Sequence, residues 1–331
     1  MTIVDAFPHI IPPVCLERFC AVASGPALDF LRGLRGRPYL APMWDLDARF
    51  RSMDAAGEYV QVLTLCLPPM EQMAHGAQAV DLARLANDSM AELVRRYPDR
   101  FVGFAASLPL SDVGASVLEL ERAVGDLGAR GAQVFTNCNG RAMDDAPYEP
   151  LWALLEELDR TVWVHGARQP TTPDFAGEDR SRYGLWAALG WPYEMGMFAA
   201  RMVASGVLDR HPGLRFYLHH SGGMLPTFAR RVSASWLELQ ATVPDDERAY
   251  GLLRRPPGEY FSEFYADTSG QSPIAIRAAL DFLGPERVFL GTDAPFISPA
   301  DHIAVLERLG LPSDHHRLLV GGNAQRVLRL A

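Results

Sequence analysis

The sequence predicts an α/β protein, specifically a (β/α)8 (TIM) barrel, from three observations. Four short apolar runs, far apart in the chain, each end in a histidine or an aspartate: Ile3-Val4-Asp5-Ala6-Phe7-Pro8-His9, Thr161-Val162-Trp163-Val164-His165, Phe216-Tyr217-Leu218-His219-His220 and Val288-Phe289-Leu290-Gly291-Thr292-Asp293. Each reads as a buried strand with a polar group at its C-terminal end, and such ends converge when the strands are neighbours in one closed parallel sheet. Strand-like runs alternate with helix-like stretches throughout, without repeats or low complexity. A length of 331 residues with 48% hydrophobic content suits one such barrel with insertions, read as a single domain over residues 1–331.

The elements follow in order. After the first strand, the stretch Leu28 to Met43 lacks clean periodicity and is expected to form an inserted flap over the barrel mouth. Val60 to Leu65 is the second strand. A helix from about Gly76 to Tyr97 places Ala79, Leu82, Ala83, Leu85, Ala86, Met90 and Leu93 at helical spacing before Pro98 stops it. Phe101 to Ala105 is the third strand, with a helix around Val113 to Leu127, and Ala132 to Phe135 is the fourth. A helix containing Trp152, Leu154, Leu155 and Leu158 leads to the fifth strand, ending at His165. The long loop after strand five, with Arg168, Pro170, Pro173, Phe175, Tyr183, Trp186 and Trp191, is too long for a plain connection and suggests an active-site excursion. A helix from Tyr193 to Leu208 precedes the sixth strand; Phe261 to Ala266 and Arg287 to Gly291 are the seventh and eighth. A doubly wound open sheet is the alternative. No Gly-x-Gly-x-x-Gly fingerprint supports one, and no nucleotide cofactor is expected.

Composition narrows the function. A net charge of −9 disfavours a nucleic-acid surface. All 31 cationic residues are arginine, so Schiff-base catalysis by lysine is excluded. Cys15, Cys20, Cys66 and Cys138 have no metal-binding or framework spacing and read as free thiols of a reducing compartment. No signal peptide and no apolar run of about 20 residues is evident, so no membrane association and a cytoplasmic location are expected. There is no Gly-x-Ser-x-Gly elbow, His-Glu-x-x-His or P-loop.

A single histidine after a strand is more often structural than catalytic. The shared position of His9, His165, His220 and Asp293, at the ends of strands one, five, six and eight, favours a metal or acid–base site. A buried carboxylate at Asp293 needs a cation or several donors beside it. Phe7 shares the strand face of His9 and is expected to pack the barrel floor or contact substrate. Strand alternation allows only one of His219 and His220 to face the interior. Trp191 is a candidate wall for a planar substrate, although a packed core tryptophan is equally consistent with the sequence. His75, His211, His302, His315 and His316 read as surface or structural residues.

These motifs, with Trp44-Asp45, Gly131-Ala132-Gln133-Val134 and Gly322-Asn323-Ala324, resemble the amidohydrolase superfamily. The similarity is to the branch of aminocarboxymuconate semialdehyde and resorcylate decarboxylases. The resemblance implies a lyase that decarboxylates a small unsaturated or aromatic carboxylic acid non-oxidatively, as a homodimer, with a divalent metal such as zinc or manganese. In that branch the first strand ends in His-x-His or Glu-x-His, and both outer residues bind the metal. Here Phe7 stands at the first ligand position, leaving His9, His165 and Asp293 as metal ligands and weakening or displacing the ion. The resemblance assigns His220, before Ser221-Gly222-Gly223, as the general acid/base, with His165 and Asp293 also catalytic, and sends His219 to the helix layer. It makes Arg231 a carboxylate-binding residue that crosses the dimer interface, and Arg37 a second one. With no lysine to be carboxylated, a mononuclear site is implied. Two other readings stay open: a metal-independent hydrolase (lactonase-like) or cyclase/isomerase on the same fold, and an inactive binding homologue.

Overall fold

The computed structural model describes residues 2–270 and 272–330. Eight parallel strands form the framework: β1 (Ile3–Asp5), β2 (Tyr59–Leu65), β3 (Phe101–Phe104), β4 (Gly131–Phe135), β5 (Thr161–His165), β6 (Arg215–Leu218), β7 (Tyr265–Asp267) and β8 (Val288–Phe289). β2 pairs with both β1 and β3, and the continuation of β3 through Ala106–Ser107 pairs with β4. From β4 to β8 each strand pairs with the next. Three backbone bonds bring β8 back to β1: Ala6 N to Leu290 O at 2.9 Å, Asp293 N to Phe7 O at 3.2 Å and His9 N to Ala294 O at 2.6 Å. The ring is thereby joined all round.

Period-two alternation sorts the strand residues into two apolar layers. Val60, Val62, Trp163, Tyr217, Phe289 and Phe7 fill the lumen. Leu63, Val134, Val162, Phe216, Leu218 and Val288 face the surrounding helices. The C-terminal residues Ala324, Val327 and Leu328 pack into the lumen cluster with Val4 and Val60, at the N-terminal end of the strands. Asn323 ties this tail to the sheet by donating to Pro285 O and Val288 O.

Several boundaries differ from the sequence expectation. Strand seven is Tyr265–Asp267, and Phe261 instead ends the helix Pro257–Phe261, because its proline pair starts a helical turn. The segment after strand five regains helix at Gly190–Ala204 and Val207–Arg210. The stretch expected as an irregular flap is largely helical, in Gly25–Arg35 and Pro38–Met43, and buries Leu31, Leu34, Leu40 and Met43. Those apolar residues anchor the insertion, while Pro26, Ala27 and Phe30 border a narrow pocket shared with Trp186 and Trp191. Among the described residues no helix is long and apolar enough to cross a membrane.

The β1–β8 seam is locked by Asp5. Its buried carboxylate accepts from Thr292 N at 3.0 Å, Thr292 Oγ1 at 2.5 Å, Phe7 N at 3.2 Å and the Tyr59 hydroxyl. Asp5→Ala would orphan these buried donors, and each orphan costs about 1–3 kcal/mol. A loss of at least about 3 kcal/mol in urea unfolding is expected; a stability within error of wild type would remove Asp5 from this role.

Candidate functional site: a histidine and aspartate cluster at the barrel mouth

The C-terminal strand ends bring His9, His165, His219 and Asp293 into contact. Register explains the two central rings. Tyr217 lies opposite Trp163, so the inward residues two places further on, His219 and His165, are neighbours, and His219 N donates to Val164 O at 3.1 Å. The expectation that His219 turns to the helix layer is therefore overturned: its side chain is fully buried, stacked on Phe7 at 3.9 Å between ring centroids. His220 also reaches the mouth. Alternation does not bind it because β6 ends at Leu218, and both His220 and Ser221 adopt φ of 55°. Asp293 likewise sits on a left-handed turn, with φ of 64°, a conformation that aspartate tolerates better than most residues.

The ring contacts are close. His9 to His165 and His165 to His219 are both 5.2 Å between centroids, and His9 to His219 is 5.6 Å. Ring nitrogens of His9, His165 and His219 lie within 4.8 Å of one another; His219, His220 and Asp293 form a second such group. Asp293 Oδ1 is 3.2 Å from His9 Nε2 and 3.6 Å from His219 Nε2.

The outward ring atoms have defined partners. Thr64 Oγ1 gives its proton to Pro8 O, so His9 Nδ1–H donates to Thr64 Oγ1 at 3.2 Å. His165 Nδ1 donates to Gly166 O at 2.8 Å, and His219 Nδ1 donates to Asp267 Oδ2. With Nδ1 committed on all three rings, each Nε2 is available as a ligand or base. Outer partners orient metal-binding histidines in this way, and a divalent cation fits these donors.

Charge is unevenly shared. Burial holds His9 below the ordinary imidazole range despite the Asp293 carboxylate beside it. Burial, reinforced by the neighbouring imidazoles, holds His165 well below it. Burial also opposes charge on His219, but Asp267 and Asp293 outweigh it and lift this group to about 9. Burial, then the charge on His219, presses His220 down to about 4. Burial works against ionisation of Asp293, yet the His219 and His9 imidazoles beside it keep its carboxyl well below the usual carboxylate range. Without a metal, His219 carries the positive charge between two carboxylates, and His220 is neutral.

Trp191 stacks on His220 at 5.8 Å and 12° and meets His165 edge-on at 5.0 Å. It lies so close to the backbone at Gly166 that a Cβ there would fall 2.5 Å from its ring. Glu194 fixes the same loop, accepting from Thr136 Oγ1, Ala167 N and Arg168 N. Phe7 is completely buried, in the floor beneath the cluster. Arg37 and Arg231 are both exposed, at the edge of the insertion and on the helix Leu225–Leu239, and a single chain does not bring them into the cluster.

Sequence reasoning missed Asp267 and Asp5 and misplaced His219. Asp267 ends the run Phe264-Tyr265-Ala266-Asp267, the same strand-then-carboxylate signal that marked Asp293. Placing strand seven too early hid it.

Residues 23–330 match the amidohydrolase family profile. A gamma-resorcylate decarboxylase of Rhodococcus jostii is 33% identical, covering 96% of this chain and 98% of the relative. The crystal structure of 5-carboxyvanillate decarboxylase from Sphingomonas paucimobilis superposes with a TM-score of 0.86 at 26% identity, covering 100% of this chain and 99% of that one. A dihydroxybenzoic acid decarboxylase from Polaromonas sp. JS666, with bound manganese and the inhibitor 2-nitroresorcinol, gives a TM-score of 0.81 at 26% identity, covering 99% and 97%. With sequence and backbone matched over nearly its full length by enzymes of one kind, the chain belongs to the amidohydrolase family, in the branch of the resorcylate-type decarboxylases.

Proposed function

We propose that this chain is a lyase that releases CO2 non-oxidatively from a small aromatic or unsaturated carboxylic acid. The observation that carries the reading is the parallel stack of Trp191 and His220 above a buried His/Asp cluster, which offers a flat ring a wall beside a proton carrier. The reaction breaks one C–C bond, leaves its electron pair on the ring carbon and needs one proton delivered there. His220 is suited to that delivery because its Nε2 is buried without a hydrogen-bond partner among the described residues. It rests neutral, and an arriving carboxylate favours its protonated form by proximity of charge. His165 and Asp293 complete the acid–base set by holding charge and water about the reacting carbon. Phe7 supports the substrate floor from below.

His9, His165 and Asp293 would hold a divalent cation such as manganese or zinc, three ligands being a common catalytic count. When bound, the ion would anchor the substrate's oxygen atoms and offset their negative charge.

The working form is a homodimer in which Arg231, and with it Arg37, binds substrate carboxylate by paired guanidinium hydrogen bonds. Two contacting helices support this reading, since they expose Tyr193 and Met197 on one and Phe228, Leu237 and Leu239 on the other, beside Arg231.

Incubation with 2,6-dihydroxybenzoate, 5-carboxyvanillate and related hydroxybenzoates is expected to release CO2 from at least one, read by the ultraviolet change of the ring. Absence of both turnover and binding across the panel, with zinc or manganese added, would defeat the assignment. His220→Asn is expected to lower kcat by roughly 100- to 10,000-fold, whereas Trp191→Ala mainly raises KM, by roughly 2- to 10-fold for one lost aromatic contact. Arg231→Ala is expected to raise KM with little change in kcat. Light scattering that finds a fully active monomer would rule out the subunit-crossing role.

A further inference from the structure

Phe7 and His219 are in direct contact, and their relation settles how a cation can be held in a chain whose first strand offers only one ligand. Phe7 has no lone pair. Its ring lies nearly parallel to His219, 3.9 Å away and tilted by 20°. His219 is fixed at Nδ1 by Asp267, which itself accepts from Ser221 N, Ser269 N and Ser269 Oγ and is fully buried. The ring is thus held on one face and at Nδ1, and its Nε2 points toward Asp293, buried and without a hydrogen-bond partner among the described residues. A buried nitrogen left unpaired by the protein is costly unless something else meets it. His219 is also the member common to both donor groups at the mouth, His9/His165/His219 and His219/His220/Asp293.

We propose that His219 is a metal ligand that substitutes for the one missing at Phe7, so that the cation is held by His9, His165, His219 and Asp293, with Phe7 as the wall that orients His219. Three imidazole nitrogens and one carboxylate oxygen suit zinc, and manganese less strongly. Asp267 then acts as a positioning residue. The proposal rests on the reading above that the mouth holds a cation, and its test reads metal content separately from decarboxylation.

Wild-type protein, stripped with a chelator, reloaded with zinc or manganese and gel-filtered, is expected to retain close to one ion per chain. His219→Ala is expected to bind zinc at least ~100-fold more weakly, more than the ~10- to 100-fold typical of losing an outer partner, which is the loss expected of Asp267→Asn. His219→Gln, which keeps a donor for Asp267 and fills the space, is expected to lose at least ~10-fold. In the His219→Ala background, Phe7→His is expected to recover much of the lost affinity by restoring a ligand on strand one. Wild-type affinity in either single variant at His219 would overturn the proposal. So would wild-type protein that binds neither metal. Either outcome, accompanied by CO2 release, would leave the decarboxylase reading intact.

Discussion

The seam between the first and last strands is where barrel closure and site geometry become one problem. Asp5 sits at the end of β1 and draws in the backbone and hydroxyl of Thr292, the amide of Phe7 and the hydroxyl of Tyr59. Asp293 directly follows Thr292 and His9 lies two residues beyond Phe7, and their side chains meet at 3.2 Å. A carboxylate away from the cluster therefore sets the spacing of two of its members. The two backbone bonds that follow, Asp293 N to Phe7 O and His9 N to Ala294 O, continue the same seam up to the mouth. Any slippage between these strands would separate the pair and open the lumen together.

Above the seam the organising constraint is electrostatic. Asp267 is fully buried and Asp293 largely so, and the cost of burying two carboxylates is met by one positive centre between them. Without a cation that centre is the His219 ring, and burial together with its charge presses His220 toward neutrality. The arrangement separates the two adjacent histidines chemically although they neighbour each other in sequence. One is embedded between carboxylates, and the other lies against the face of Trp191 with a free nitrogen.

The aromatic lining follows from close backbone packing. Gly166 leaves room for Trp191 to lie directly on the chain after β5, and Glu194 gathers the amides of Ala167 and Arg168 so that the loop leaves the strand in one direction. Phe7 closes the lumen from below, continuous with Tyr217 and Phe289. The polar cluster is held between an apolar floor and an aromatic wall, a setting that strengthens charge interactions by excluding water.

Strand identity and the positions of His9, His165 and Asp293 were legible in the sequence, because an apolar run that ends in one polar residue is a local signal. Buried strands of period two and helices such as Ala77–Arg96 leave that signal wherever their own residues determine which face is covered. The insertion was harder: its helices Gly25–Arg35 and Pro38–Met43 contain several glycines and prolines, and they are held by burial of leucines against the barrel rather than by helix propensity. The roles of His219 and His220 depended on tertiary structure for a different reason. Alternation predicts facing only while the strand lasts, and the left-handed turn after Leu218 releases His220 from it. Which neighbour completes each ring, Thr64 for His9, Gly166 O for His165 and Asp267 for His219, is decided by strand register across the barrel, because partners from separate strands share no sequence spacing that could reveal them.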